Sequence, residues 1–170
     1  MAIAQDEFDI YRLDAYEGQI GTIEINRVSS GVAGTDIAFG RAVVRDAATG
    51  HVVPWTAKSN AWDLLGISVR SQTGNSVQMP QYGNTYPITT AGYLAGQNLS
   101  YMTSGAIRVM CVDGALAGDE VSIVTIAGAN LGRFTSKTGV KIPFLRWKDD
   151  VTAGAIGWIE LNGIFSASGV

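Results

Sequence analysis

Cysteine is nearly missing from this 170-residue chain. Cys111 stands alone, so no disulfide can form within the chain and no thiol cluster can hold zinc or run a CxxC redox couple. Its neighbours Ile107 to Val112 read as a strand, which predicts a buried structural thiol. Histidine is just as scarce: His51 follows Gly50 at what reads as the start of a strand, an ordinary structural position. Acid-base and nucleophilic catalysis need a titratable pair or triad held close together. A chain with no GxSxG elbow, HExxH helix, Walker loop or GxGxxG turn offers none, and Thr103-Ser104-Gly105 lacks the helix and basic residue of a phosphate site. The acidic pairs Asp119-Glu120 and Asp149-Asp150 have no EF-hand spacing. The expectation is a protein that is not an enzyme and takes no cofactor and no metal.

Long apolar runs are missing too. No window approaches the ~20 continuous apolar residues of a membrane helix, and the start, MAIAQDEFDIY, has neither the basic nor the apolar region of a secretory signal. The chain is expected to be made in the cytoplasm and to have no membrane partner. A net charge of −3 and a pI near 5.0 argue against a general nucleic-acid binder, which needs a clustered basic face.

What is present is a globular composition, 46% apolar and 16% charged with 21 glycines, in a length that suits one buried core. Short apolar or alternating runs recur between small-residue clusters, among them Gln19 to Arg27, Ile37 to Arg45, His51 to Trp55, Leu64 to Ser71, Ser76 to Met79, Tyr86 to Thr90, Asn98 to Tyr101, Ala106 to Val112, Glu120 to Ile126, Ile142 to Trp147 and Ala155 to Leu161. A turn signal every ~8 to 12 residues is the pattern of an all-β sandwich or barrel with little or no helix. Residues 1–17 read as an N-terminal arm and 18–170 as a single β domain. Ser59 to Leu65 suits one helical turn capped by Ser59 or Asn60. Ala-Gly recurs at 33–34, 95–96, 117–118 and 153–154, and Leu94 to Ser100 matches Leu116 to Ser122 position by position, which reads as a recurring turn into a strand.

Charge and aromatics suggest where such a chain meets others. Residues 6 to 24 hold six acids against Arg12, while 133 to 148 hold Arg133, Lys137, Lys141, Arg146 and Lys148 with no acid, so the two segments attract one another or a neighbouring subunit, or are simply two solvated faces. Phe8, Ile10, Tyr11 and Leu13 give the arm apolar contacts to place on a neighbour. Trp147 and Trp158 fall inside strands and are expected in the core; Trp55 and Trp62 are expected to be exposed or interface anchors. Alternation turns Phe39 and Val43 inward and leaves Arg41 and Arg45 outward.

Tyr16-Glu17-Gly18-Gln19-Ile20 and Ile37 to Arg45, followed by Leu65 to Arg70, Tyr93 to Val109, Ala117 to Val121 and Ile159 to Asn162, together resemble the structural cement proteins of tailed phages. The resemblance spans residues 16 to 162 and implies a small jelly-roll-like β protein, a homodimer or homotrimer, seated on the exterior of an icosahedral head. There it would bridge major capsid proteins through binding alone, as a part of the virion. A carbohydrate- or cell-surface-binding β-module using Trp55 or Trp62 is the alternative.

Overall fold

A computed structural model describes residues 16–20, 25–70 and 92–162. The all-β expectation is met. In chain order the strands are β1 (Arg27–Val32), β2 (Ile37–Ala38), β3 (Ala42–Arg45), β4 (Val52–Pro54), β5 (Leu64–Ser68), β6 (Gly92–Tyr93), β7 (Asn98–Met110), β8 (Glu120–Ile123), β9 (Phe134–Thr135), β10 (Val140–Trp147) and β11 (Ile156–Leu161). A single 3-10 turn, Ala61–Asp63, is the helical element among the described residues. No helix there is long and apolar enough to cross a membrane.

Nine strands form one curled antiparallel sheet in the order β4-β3-β5-β7-β11-β10-β8-β9, with β1 added to β7; β2 and β6 pair as a separate ribbon. β7 is long enough to serve two groups of strands. Its first half pairs with β1 and β5, its second half with β11. Each group then closes on itself through one parallel bridge, Ala33 to Val52 on the first side and Cys111 to Phe134 on the second. The closing bonds match: the Gly34 amide donates to the Val52 carbonyl at 2.8 Å and the Val112 amide to the Phe134 carbonyl at 2.9 Å. The molecule is thus two small barrels that share β7.

This arrangement explains sequence features that alternation alone does not. Ala42, Val43 and Val44 are all buried because successive side chains enter different cores. Val43 joins Ile37, Phe39, Val52, Tyr93, Leu99 and Tyr101 in the smaller core, whereas Ala42 and Val44 join the larger one, which continues into the second barrel. Phe39 and Val43 face inward as expected. Phe39 meets Tyr93 edge-on at 5.2 Å, and the Tyr93 hydroxyl donates to the Val69 carbonyl at 2.7 Å, so the β2-β6 ribbon lids the smaller core. Cys111 is buried, and burial raises its thiol pKa.

Several boundaries differ from the sequence expectation. The runs 98–101 and 106–112 are one strand, since Gly105 pairs with Leu161 and carries the ladder between them. Ile37 to Arg45 is two strands, broken at Gly40, whose φ of +67° suits glycine. Gly31 lies within β1, beyond the end of the run that stops at Arg27. Pro143 sits where the β8–β10 register breaks between Ile142 and Arg146, as a residue without an amide hydrogen must. The runs at 76–79 and 86–90 lie outside the described residues.

Candidate interaction surface

The 3-10 turn builds the most exposed aromatic of the described residues. Asn60 caps it: its side chain accepts from the Trp62 amide at 3.0 Å, and the Asp63 carboxylate accepts from the Asn60 amide at 2.8 Å. This reciprocal pair is a capping box, which fixes both the entry angle and the turn. Behind it, the Ser59 hydroxyl contacts the Thr56 hydroxyl at 2.9 Å and accepts from its amide at 3.2 Å. Trp62 is therefore held in place yet 61% exposed, tilted against Phe144 of β10 at 6.2 Å. It borders an open cleft of about 760 Å3 that is also lined by Arg45, Asp46, Lys58, Ser29 and Thr103. Two expected interface residues, Arg45 and Trp62, thus meet at one feature. Phe144, which completes the aromatic pair, was hidden from sequence reasoning by its place in a strand that alternates irregularly around Pro143.

The other two described candidates are held within the chain, Trp55 fully and Arg41 in part. Trp55 is 1% exposed and belongs to the larger core, a correction to its expected exposure. Its amide donates to the Ala42 carbonyl at 3.0 Å, and its Cβ lies beside Gly132, so the closing loop of the second barrel covers it. Arg41 is corrected as well. Its Nη1 donates to the carbonyls of Ala129 at 3.1 Å and Leu131 at 3.2 Å, which spends the guanidinium on the same loop. Burial lowers its pKa first, nearby Arg133 lowers it further, and Glu17 opposes both. Arg45 remains exposed, with Nη1 on the Gly50 carbonyl at 2.9 Å. Phe8, Ile10, Tyr11 and Leu13 lie outside the described residues.

Residues 16–20 are tightly seated. The Gly18 amide donates to the Arg108 carbonyl at 2.8 Å, and the Arg70 amide donates to the Gly18 carbonyl at 2.7 Å, so residues 16–20 bridge the last residues of β7 and the segment just after β5. Gly18 and Gly40 stand back to back. A Cβ on Gly18 would come within 2.8 Å of the Gly40 amide nitrogen, and both residues have positive φ. Glu17 pairs with Arg133 at 3.5 Å, too long for a hydrogen bond but an ion pair, and the Arg70 guanidinium lies 4.4 Å over the Tyr16 ring. One acid of the N-terminal segment therefore does meet the basic run within the chain.

Three more of that run pair along the outer face of the second barrel. Lys141 and Arg146 reach Glu120 at 3.1 and 3.4 Å, and Lys148 reaches Glu160 at 3.9 Å. Trp158, expected in the core, is half-buried on this outer face, with Arg108 4.4 Å over its ring; Trp147 is buried as expected. The acidic pairs cap turns: Asp149 Oδ1 accepts from the Trp158 amide, Asp150 Oδ1 from Ala117 and Asp119 Oδ2 from Leu116. No group of three metal-ligating side chains occurs among the described residues.

Three of the four Ala-Gly dipeptides form the expected turn into a strand, at 94–97, 116–119 and 152–155, with the glycine at φ of +82°, +90° and +79°. Ala33-Gly34 is different: it ends β1 and makes the closing bridge to Val52. The turns leave Leu94 45% and Leu116 64% exposed, which the matched heptapeptides signal only as turns.

The curled sheet has a counterpart in a solved phage capsid. A chain from the capsid of Myoviridae phage XM1 superposes with a TM-score of 0.70 at 19% identity, over 97% of this chain and all of that one, which shows a shared fold. The head fiber gp8.5 N base of bacteriophage phi29 gives a TM-score of 0.43 at 11% identity, over 81% of this chain and 95% of that one. No curated protein matches the chain. The model of one protein family, structural cement protein (E217 gp24/Pam3 gp6), matches residues 4–162, and with that span of 170 residues covered the chain belongs to the phage structural cement proteins.

Proposed function

We propose that this cement protein binds the outside of an assembled head, contacts the major capsid protein there and stabilises the lattice without chemistry. A protein that binds the closed shell and not the free subunit raises the free energy of dissociation by mass action. A homodimer or homotrimer would multiply modest contacts through effective concentration. The proposed contacts are the arm, with Phe8, Ile10, Tyr11 and Leu13, and the cleft that holds Trp62 and Arg45.

The observation that carries this reading is Trp62, a large aromatic kept at 61% exposure by a capping box and a buried serine clamp. A preorganised aromatic of this kind is the usual anchor of a binding surface, since little rotamer entropy is lost on contact. Co-sedimentation with heads stripped of cement protein tests it. Trp62→Ala is expected to weaken shell binding at least ~10-fold while leaving the fold intact, and deletion of residues 1–15 to reduce occupancy sharply. Undiminished binding by both variants would remove these residues from the interface.

The mixed polar and aromatic lining of the cleft favours one second reading, a weak carbohydrate site with Trp62 as the stacking platform. Binding on a glycan array that is lost in Trp62→Ala, with shell binding unchanged, would select it.

A further inference from the structure

The backbone turn at Leu94 and Leu116 recurs at 16–19 and 152–155, but at these two it carries the same full set of side-chain bonds and the same residue, leucine, in first place. In each, the leucine amide donates to the side chain three residues on, Gln97 Oε1 at 2.9 Å or Asp119 Oδ2 at 2.9 Å. The alanine amide donates to a carboxylate from elsewhere, Asp36 Oδ1 at 2.9 Å or Asp150 Oδ1 at 2.8 Å. The glycine amide donates to the carbonyl at a strand end, Ala33 or Trp147, at 2.7 Å in both cases. That same residue returns its amide to the carbonyl of Gln97 or Asp119, and the turn closes on itself at 3.1 or 3.0 Å. The two supporting carboxylates even share an offset, three residues beyond the strand-end residue. A single exposed leucine on a protein surface needs no explanation. Here two occupy one position of one turn, each an exposed apolar side chain on a rigidly bonded mount.

The topology sets the pair at opposite ends of the molecule. Leu94–Gln97 runs straight into Asn98, the first residue of β7. Leu116–Asp119 is bonded to Trp147, the last residue of β10. Since β7 is antiparallel to β11 and β11 to β10, β10 runs parallel to β7 and ends beside its far end. β7 has 13 residues, which at ~3.3 Å each separates the turns by at most about 43 Å.

We infer that the chain is a two-ended staple whose Leu94 and Leu116 turns enter equivalent apolar pockets on two neighbouring copies of one shell protein. The inference rests on the reading of this cement protein as a head binder and names the partner's chemistry. Asp36 stands beside the first leucine, and Asp119 and Asp150 beside the second, each with one carboxylate oxygen spent on the turn and the other without a partner among the described residues. The complementary pocket is therefore apolar with a basic rim. A repeated docking element fits a repeated partner, and two linked contacts bind far more tightly than either does alone.

The test is co-sedimentation of the full chain with stripped shells, for wild type, Leu94→Ser, Leu116→Ser, the double variant and the conservative Leu94→Met and Leu116→Met. Both serine variants should weaken shell binding ~100-fold or more and to a similar degree, as loss of either end removes the linkage. The double variant should not sediment, the methionine variants should stay within a few-fold of wild type, and thermal unfolding should be unchanged throughout. Wild-type binding that survives either serine substitution, or that depends on one leucine alone, overturns the staple while leaving head binding in place. A wild-type chain that does not sediment with shells overturns the head-binding reading, and the staple falls with it.

Discussion

The two barrels that share β7 are closed by the same backbone bonds but are filled differently. The Gly34–Val52 bond corresponds to Val112–Phe134, and the mutual bonds of Gly40 and Arg41 with Ser68 to those of Gly118 and Asp119 with Trp147. The first barrel holds a compact core around Phe39, Tyr93, Leu99 and Tyr101, while the second shares its larger core with the outer face of the first. Backbone closure thus needs glycines and strand ends at fixed places, and tolerates unrelated side chains inside. Because Ala42, Val44, Leu64 and Ile67 of the first barrel belong to the larger core, the interior of the second half is built partly from the first. The barrels are expected to melt together.

Core truncation tests that coupling most severely. Phe39→Ala in the smaller core and Phe134→Ala in the larger are each expected to cost about 3–5 kcal/mol, with calorimetry showing one lowered transition in both cases. A separate early transition in Phe39→Ala alone would show that the barrels are independent.

Glycine substitutions come next and separate the waist of the molecule from its ends. Gly18→Ala places a Cβ within 2.9 Å of three backbone atoms at a φ of +79°, whereas Gly96→Ala, at +82°, meets nothing within 4 Å. Chemical denaturation should find a cost of about 3 kcal/mol for the first and about 1 kcal/mol for the second. Equal costs would mean that the seat of residues 16–20 yields easily.

Charge contributes less. Glu17→Gln removes the ion pair to Arg133, whose side chains are one-fifth exposed, and should cost about 1 kcal/mol or less in low salt, diminishing as salt is added. The smallest effect belongs to the β3–β4 hairpin at the first barrel's rim. The Thr49 hydroxyl and then the Ala48 amide hold the Asp46 carboxyl below the usual carboxylate range. A lowered folded-state pKa means that this contact stabilises above the ordinary carboxylate value and is lost as pH falls through the folded one. Asp46→Asn should slightly lower stability at neutral pH and leave it unchanged below the folded pKa, which flattens the acid side of the stability profile.

Features encoded within a few residues were legible in the sequence. Asn60 announces its cap, Asp46 to Gly50 its hairpin, and the two Leu-Ala-Gly heptapeptides their turns, since each signal lies beside the bonds it makes. Features set by closure were not. Trp55 follows a proline at a strand end and looks exposed, yet the loop around Gly132, far along the chain, folds over it. Arg41 alternates outward and is then claimed by carbonyls of that same loop. The runs 98–101 and 106–112 look separate in the sequence until β1, β5 and β11 pair along one continuous β7. The candidate surface divides the same way: Trp62 is exposed by a local turn and Arg45 by its place at the end of β3, while Phe144 reaches Trp62 only through the tertiary fold.

The claim that this cement protein stabilises a head is tested most directly by the temperature at which stripped shells come apart, followed by light scattering as the protein is added. That temperature should rise with added protein and level off when the sites are filled, as linkage requires. An unchanged disassembly temperature at saturating protein would contradict the account.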